Sequence, residues 1–187
     1  MPLSATERIV IYQLPTVTTS RFHHHYDRLA RLIILKVDIY GACGKRSLAK
    51  KEAYRMIREK YKFYLAFENS NCRQYITEKF WINALRNNAV PVVMGASKAD
   101  YVKVAPPHSF IHVEDYSPEQ LARYLQYLDR NATAYNEYFA WKTYGRIVDS
   151  NFFCRLCAFV QSPPTKTYKN LDKWWRGNDD CQKNSSR

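Results

Sequence analysis

The sequence predicts an α/β fold, a Rossmann-like parallel sheet flanked by helices. Two short apolar runs, Phe63–Phe67 and Val90–Met94, have the length and composition of buried strands. The segment between them, residues 76–87, has the length of a helix. Strands that alternate with helices form βαβ units with right-handed crossovers, and such units build parallel sheets.

The same alternation continues on both sides of this unit. Further strands are predicted at residues 9–12, 34–40 and 109–113, and further helices at 21–32, 47–61 and 132–142. Ser117, Pro118 and Gln120 predict the start of another helix, since they suit the N-cap, the first helical position and position N3. Residues 161–187 are predicted to be a polar C-terminal tail.

Composition indicates a folded domain with anionic partners. The 187 residues are 46% hydrophobic and 15% aromatic, which is enough for a substantial core. The net charge of +12 favours a nucleotide, nucleic acid, acidic glycans or a membrane surface. No zinc-finger spacing, helix-turn-helix signature or aromatic RNP motif is present, so nucleic-acid binding has weak support. No run reaches the ~20 apolar residues that a membrane span needs, and residues 1–20 lack a secretory apolar core.

The cysteines leave three interpretations open. Cys154 and Cys157 form a CxxC, which suits a zinc half-site, a redox pair or two separate disulfide partners. A zinc site would need a second ligand pair, and Cys43, Cys72 and Cys181 are scattered singly, so we predict that the pair binds no zinc. The consecutive histidines at 23–25 cannot face one site on a helix and are predicted to lie on the surface.

Polar residues cluster where a parallel sheet binds nucleotides. Glu68, Asn69 and Ser70 follow the first of the two central strands, and Glu78 and Lys79 lie in the first turn of the helix. Carboxylates accept hydrogen bonds from ribose hydroxyls, an ammonium neutralises a diphosphate, and the helix start adds unpaired N–H groups. The crevice at the carboxyl ends of the strands is therefore suited to a sugar nucleotide.

These residues resemble the hallmark of the α1,3-fucosyltransferase family. The chain has F-Y-L-A-F-E-N-S at 63–70 and Y-I-T-E-K at 75–79 with the family's spacing, and Gln74 stands where the family often has Asp. Similarity continues in V-D-I-Y-G-A-C-G at 37–44, through Pro91-Val92-Val93, and in C-R-L-C at 154–157. The resemblance covers about residues 21–160.

The resemblance implies the C-terminal, donor-binding half of a GT-B type glycosyltransferase. It assigns residues 1–20 to a degenerate lead-in, 21–160 to the nucleotide-sugar-binding domain and 161–187 to the tail. The implied reaction is inverting transfer of fucose from GDP-fucose to a hydroxyl of a glycan or glycoprotein, with no required cofactor. It also implies a Golgi lumen location through a membrane anchor that this chain lacks, and an N-terminal truncation. The alternatives are an inactive GDP-fucose-binding remnant and a basic nucleic-acid-binding module.

Five donor-binding residues follow from the same resemblance. Glu78 is expected to bind the ribose, Lys79 the diphosphate, Asn69 the region near the phosphates, and Tyr75 to pack or hydrogen-bond beside the donor. Arg21 is expected to stabilise the leaving diphosphate. The plainer interpretation of the motif is a helix cap with a surface ion pair.

Other implied features concern the base and the compartment. The family's catalytic base is a carboxylate of the N-terminal domain, so no catalytic residue is assigned here. In an oxidising lumen Cys154 and Cys157 would bridge toward the N-terminal half. Asn131 and Asn184 begin sequons that suit the same compartment.

Overall fold

The computed structural model describes residues 8–13, 36–41, 48–148, 151–163, 165, 167–171 and 181. Its centre is a five-stranded sheet with the order β2-β1-β3-β4-β5, and every neighbouring pair is parallel. The strands are β1 (Arg8–Gln13), β2 (Lys36–Gly41), β3 (Phe63–Phe67), β4 (Val90–Met94) and β5 (Ile111–His112). The predicted parallel sheet is confirmed, and each predicted strand is present with bounds that differ by at most two residues.

Both faces of the central strands are buried, which explains their continuous apolar runs. All five residues of β3 are buried. Phe63, Leu65 and Phe67 pack into one core, whereas Tyr64 and Ala66 pack into another on the opposite face. Successive side chains of a strand point to opposite faces, so this alternation places a helical layer on each side of the sheet.

Within the described ranges, five α-helices accompany the sheet. They are α1 (Lys50–Lys60), α2 (Lys98–Val104), α3 (Pro118–Arg130), α4 (Ala132–Glu137) and α5 (Phe152–Gln161). The predicted start of α3 is confirmed, since Ser117 and Gln120 form a reciprocal capping box. Helices α2 and α5 were not predicted; α2 has only seven residues, and α5 is exposed along its whole length. No described helix is long and apolar enough to cross a membrane.

Two predicted helices differ in type or length. Residues 76–87 contain a π-helix, Lys79–Ala84, followed by a 3-10 turn, Leu85–Asn87, instead of one α-helix. The wide turn buries the polar Asn83 together with its apolar neighbours, and the Asn83 amide donates a hydrogen bond to the Tyr64 hydroxyl at 3.0 Å. Sequence periodicity carries no sign of such a tertiary contact.

The second difference lies after α3, where a helix was predicted at 132–142. Helix α4 ends at Glu137, and a separate 3-10 turn, Ala140–Thr143, follows it. The buried Tyr138 and Trp141 anchor this region in different cores, one on each face of the sheet. The single predicted helix is therefore replaced by a short α-helix and a separate 3-10 turn. The predicted helix at 21–32, with its histidines at 23–25, lies outside the described residues.

The sheet opens at one point along its carboxyl edge. Strands β1 and β3 pair only at Ile9↔Phe63 and Val10↔Tyr64. In contrast, β3 and β4 stay paired to Phe67↔Met94. The strand order reverses between β1 and β3, and a doubly wound sheet binds ligands in the crevice at such a reversal. Any nucleotide site is therefore expected at the carboxyl ends of these two strands.

Candidate functional site

The predicted site begins at the carboxyl end of β3. Phe67 ends this strand, and Glu68, Asn69 and Ser70 continue into the loop that leads to the π-helix. Lys79 is the first residue of the π-helix. The loop thus returns the chain to the strand end from which it departed, beside the point where the sheet opens.

Lys79 carries a mostly buried ammonium group fixed at this strand end. Its Nζ donates hydrogen bonds to the Phe67 carbonyl oxygen at 2.7 Å and to Asn69 Oδ1 at 2.8 Å. It also lies 3.8 Å from Oε2 of Glu68. Burial lowers the pKa of Lys79, and the carboxylates of Glu68 and Glu78 oppose that shift. The described residues use two of the three ammonium protons, and the third suits a ligand oxygen.

Glu78 and Tyr75 form the outer part of the site. Glu78 is exposed, whereas Tyr75 is partly buried. Burial raises the pKa of Tyr75, and the negative charges of Glu68 and Glu78 raise it further, so its hydroxyl stays protonated at neutral pH. The structure therefore places an exposed carboxylate near the fixed ammonium, and a neutral phenol near the carboxylates of Glu68 and Glu78. Of the predicted donor residues, Asn69 and Lys79 are in direct contact.

The plainer interpretation of a surface ion pair does not describe Lys79. Its side chain is 13% exposed, and its carboxylate neighbour Glu68 is completely buried. Glu78, the neighbour that a sequence interpretation would pair with Lys79, is exposed at the start of the π-helix and makes no side-chain cap. The ammonium is thus held by strand and loop oxygens at the crevice.

Comparison with known proteins assigns the family. Residues 7–174 match the family model described as glycosyltransferase family 10 (fucosyltransferase), C-terminal part. The chain belongs to glycosyltransferase family 10. It is 46% identical over 162 residues to glycoprotein 3-alpha-L-fucosyltransferase A of Drosophila melanogaster, covering 82% of this chain and 32% of that protein. It is 43% identical over 157 residues to alpha-(1,3)-fucosyltransferase 7 of Bos taurus, covering 81% and 44%.

Solved structures agree on the fold of this family 10 chain. A crystal structure of an alpha1,3-fucosyltransferase with GDP-fucose matches with a TM-score of 0.65 and 20% identity, over 91% of this chain and 51% of that one. The predicted fold class, the Rossmann-like C-terminal half of a GT-B type glycosyltransferase, is confirmed. The chain spans less than half the length of the two curated relatives described above.

The remaining predicted site residues are partly described. Arg21 and Asn184 lie outside the described residues. Cys154 and Cys157 are exposed free thiols on α5, and their bridging to another part of a longer protein stays a prediction. Asn131 caps α4, since its Oδ1 accepts a hydrogen bond from the Ala134 amide at 3.0 Å. Its glycosylation also stays a prediction. The described residues contain no cluster of three or more histidine, cysteine or acidic side chains suited to a metal ion.

Sequence reasoning missed a disulfide at the site. Cys72, in the loop between Asn69 and Tyr75, is bonded to Cys181 in the C-terminal tail. The two residues also form an isolated antiparallel bridge. Their separation of 109 residues left no local pattern to detect. The tail, predicted to be only a polar extension, is thus covalently joined through Cys181 to the loop that carries the predicted donor residues.

Sequence reasoning also missed the glycine that makes room for Glu68. Gly95 follows β4 with a φ of +149°, and a Cβ built there would lie 2.7 Å from Cβ of Glu68 and 2.8 Å from its Cγ. The Glu68 amide donates to the Met94 carbonyl oxygen at 2.8 Å, which keeps the two segments in register. A glycine directly after a central strand is the signal that could have revealed this contact.

We expect Gly95→Ala to destabilise the protein by about 2–4 kcal/mol, because it combines an unfavourable φ with a contact that is too short. Urea unfolding of the variant and the parent measures the difference. Ala96→Gly, at the buried next position, is the matched control for a change of one methyl group in the same turn. A Gly95→Ala variant as stable as the parent would contradict the steric argument.

Proposed function

We propose that this chain is the donor-binding part of an inverting α1,3-fucosyltransferase that moves fucose from GDP-fucose to a hydroxyl of a glycan or glycoprotein. The observation that carries the proposal is the fixed ammonium of Lys79 at the carboxyl end of β3, in contact with Asn69. The relatives are named as fucosyltransferases, and one matching structure is described with GDP-fucose. A fixed cation in the crevice suits the diphosphate of that donor.

Each site residue has a distinct task in this proposal. Lys79 binds the diphosphate and stabilises the charge that develops as GDP departs. Asn69 holds the Lys79 side chain through its Oδ1 and lies beside the phosphates. Glu78, which is exposed, accepts hydrogen bonds from the ribose hydroxyls, and the neutral Tyr75 lies next to the donor. Arg21 places a second positive charge beside the leaving diphosphate. These side chains supply the electrostatic stabilisation, so the proposal requires no cofactor.

The proposal assigns no catalytic base. Inverting transfer needs a group that removes the acceptor's proton while the donor's leaving group departs on the opposite side. Glu68 is unsuited, because it is 1% exposed and both carboxylate oxygens accept hydrogen bonds from Thr77. As the family resemblance implies, the proposed base belongs to the part of the longer relatives that this chain does not match.

We further propose that the protein works in the Golgi lumen. Disulfides persist in oxidising compartments and are rare in the cytosol. The Cys72–Cys181 bond supports such a compartment, and the sequon at Asn131 is compatible with it.

The 187-residue chain is expected to bind GDP and GDP-fucose weakly and to transfer no fucose, because it matches less than half of its relatives' length. Calorimetric titration measures binding, and labelled GDP-fucose with a panel of glycan acceptors measures transfer. Drosophila glycoprotein 3-alpha-L-fucosyltransferase A, the relative of greater length, is the positive control for the transfer assay.

Three outcomes separate the alternatives. Robust transfer by the chain alone would show that it contains a catalytic base. Absence of GDP binding would contradict the donor-site proposal. Salt-sensitive binding of random DNA or RNA without GDP binding would favour a nucleic-acid module. If GDP binds without transfer, assaying any longer product of the same gene distinguishes an inactive remnant from an enzyme.

A further inference from the structure

Glu68 is a buried carboxylate at the centre of the site, outside the set of residues expected to touch the donor. It is 1% exposed, and it leaves β3 directly after Phe67. Its backbone is tied to β4 through the Met94 carbonyl oxygen, and Gly95 leaves the space that its side chain occupies. A carboxylate in such surroundings is costly unless it is hydrogen-bonded or paired, so its partners indicate its purpose.

The first partner is Thr77, nine residues further along the chain. The Thr77 amide donates to Oε1 of Glu68 at 2.8 Å, and the Thr77 hydroxyl lies 2.8 Å from Oε2 and 3.0 Å from Oε1. Both groups are donors, so the geometry suits the ionised carboxylate. Burial raises the pKa of Glu68, while the hydrogen bonds from Thr77 and the charge of Lys79 oppose that shift. The contact between Glu68 and Thr77 closes the loop that follows β3 into a ring.

The second partner of Glu68 is Lys79, whose position depends on the ring formed by Glu68 and Thr77. The Lys79 amide lies 3.4 Å from Oγ1 of Thr77, within the same turn. The Lys79 side chain then returns to the carbonyl oxygen of Phe67, the residue before Glu68. The backbone and side chain of Lys79 are thus both held against the segment that contains Glu68, and Nζ lies 3.8 Å from the carboxylate.

Among the residues that the structure describes, two carboxylates act on the charge of Lys79. Glu68 and Glu78 are the carboxylates that act on its ammonium. The tyrosines that sense Glu68 are Tyr75 in the same loop and Tyr101 on α2, and burial raises the pKa of both hydroxyls. Both phenols therefore stay neutral below their ordinary titration range. Glu68 is the buried one of the two carboxylates, so its interaction with Lys79 is less screened by water.

We propose that Glu68 is a positioning residue: bonded to Thr77 and paired with Lys79, it holds the Lys79 ammonium, in its charged form, where the donor's diphosphate binds. The inference rests on the proposed function for the identity of the ligand. Its geometric part, the control of Lys79 by Glu68, is independent of that function. Glu68 acts through Lys79 and does not itself contact the donor.

The test is Glu68→Gln, which keeps the size of the side chain and removes its charge. We expect GDP affinity to fall about tenfold or more, in line with the loss of a charge-assisted contact. Guanosine affinity is expected to change less than about twofold, because guanosine has no diphosphate for Lys79 to bind. Glu59→Gln, an exposed carboxylate on α1, is the control for the same change in net charge. Thr77→Val removes the hydroxyl that donates to Glu68, and it is also expected to lower the affinity for GDP.

The pH profile distinguishes positioning from a general loss of stability. GDP affinity in the parent is present while Lys79 is protonated and is lost as the pH rises through its pKa. Without the carboxylate, that midpoint is expected to move to lower pH by about one unit or more. A Glu68→Gln variant with the parent's GDP affinity and pH midpoint would overturn the proposal. The proposal would also be overturned if the variant had the parent's melting temperature and lost equal affinity for guanosine and for GDP.

A measurement without ligand keeps the inference separate from the proposed function. The ¹³Cε resonance of Lys79, assigned with Lys79→Arg, reports the ammonium's titration directly. A lower pKa of Lys79 in Glu68→Gln than in the parent supports positioning by Glu68, even if the parent does not bind GDP, which would contradict the proposed function alone. An unchanged pKa of Lys79 in Glu68→Gln would overturn the inference and would leave the proposed GDP-binding function untouched.

Discussion

Lys79→Ala is expected to reduce GDP affinity by about tenfold or more while changing guanosine affinity much less. The physical reason is that the ammonium is fixed at the strand end by hydrogen bonds to two oxygen atoms, and a positive charge held there suits the diphosphate that we propose as its ligand. Calorimetric titration of both ligands against the parent and the variant measures the difference. Lys79→Gln is a second variant that fills the site and can still donate to Asn69.

Glu78→Gln is the companion variant for the other half of the donor. It removes the exposed carboxylate that is proposed to accept hydrogen bonds from the ribose hydroxyls. GDP and guanosine both contain this ribose. Its expected loss of about tenfold therefore applies to both ligands. Equal weakening of guanosine and GDP by Lys79→Ala would contradict the diphosphate assignment. Unchanged binding in both variants would return the motif to a helix cap.

Removing the Cys72–Cys181 disulfide is expected to cost about 2–5 kcal/mol of the free energy of unfolding, because the bond closes a long loop in the unfolded chain. The double variant Cys72→Ser, Cys181→Ser, unfolded in urea beside the oxidised parent, measures this loss. The variant is also expected to bind GDP more weakly, since Cys72 lies between Asn69 and Tyr75.

The chain contains its own control for this experiment. Cys154→Ser, Cys157→Ser alters two exposed free thiols on α5 and is expected to leave the stability of this chain within about 0.5 kcal/mol of the parent. Mass spectrometry of the unreduced protein should yield a linked peptide pair containing Cys72 and Cys181. Alkylation of Cys72 in the oxidised protein, or equal stability of both double variants, would contradict the structural role of the bond.

The apolar runs of this sequence determined the parallel sheet. Strands such as Phe63–Phe67 are buried on both faces, and that environment requires the continuous hydrophobicity by which they were predicted. The start of α3 was equally local, because the side chains of Ser117 and Gln120 satisfy neighbouring backbone groups. The family resemblance singled out the residues proposed to bind the donor, since they lie close together in the sequence.

Tertiary packing decided the form of the helix that carries Lys79. Asn83 must be buried beside Tyr64, and the chain meets that demand with a π-helix that no apolar period indicated. Similarly, the 3-10 turn Ala140–Thr143 follows from two aromatic anchors in different cores. Each of these contacts joins residues whose partners are set by the fold.

The candidate site divides in the same way. The sequence by itself determined that Asn69, Tyr75, Glu78 and Lys79 follow a strand and open a helical segment, since neighbours in the chain share that edge of the sheet. Only the tertiary structure decided which carboxylate is buried beside Lys79, because the answer depends on Gly95 of another segment. It also decided that Cys181 is bonded to Cys72 in the loop after β3. A disulfide depends on distance in space, and these two cysteines are 109 residues apart in the sequence.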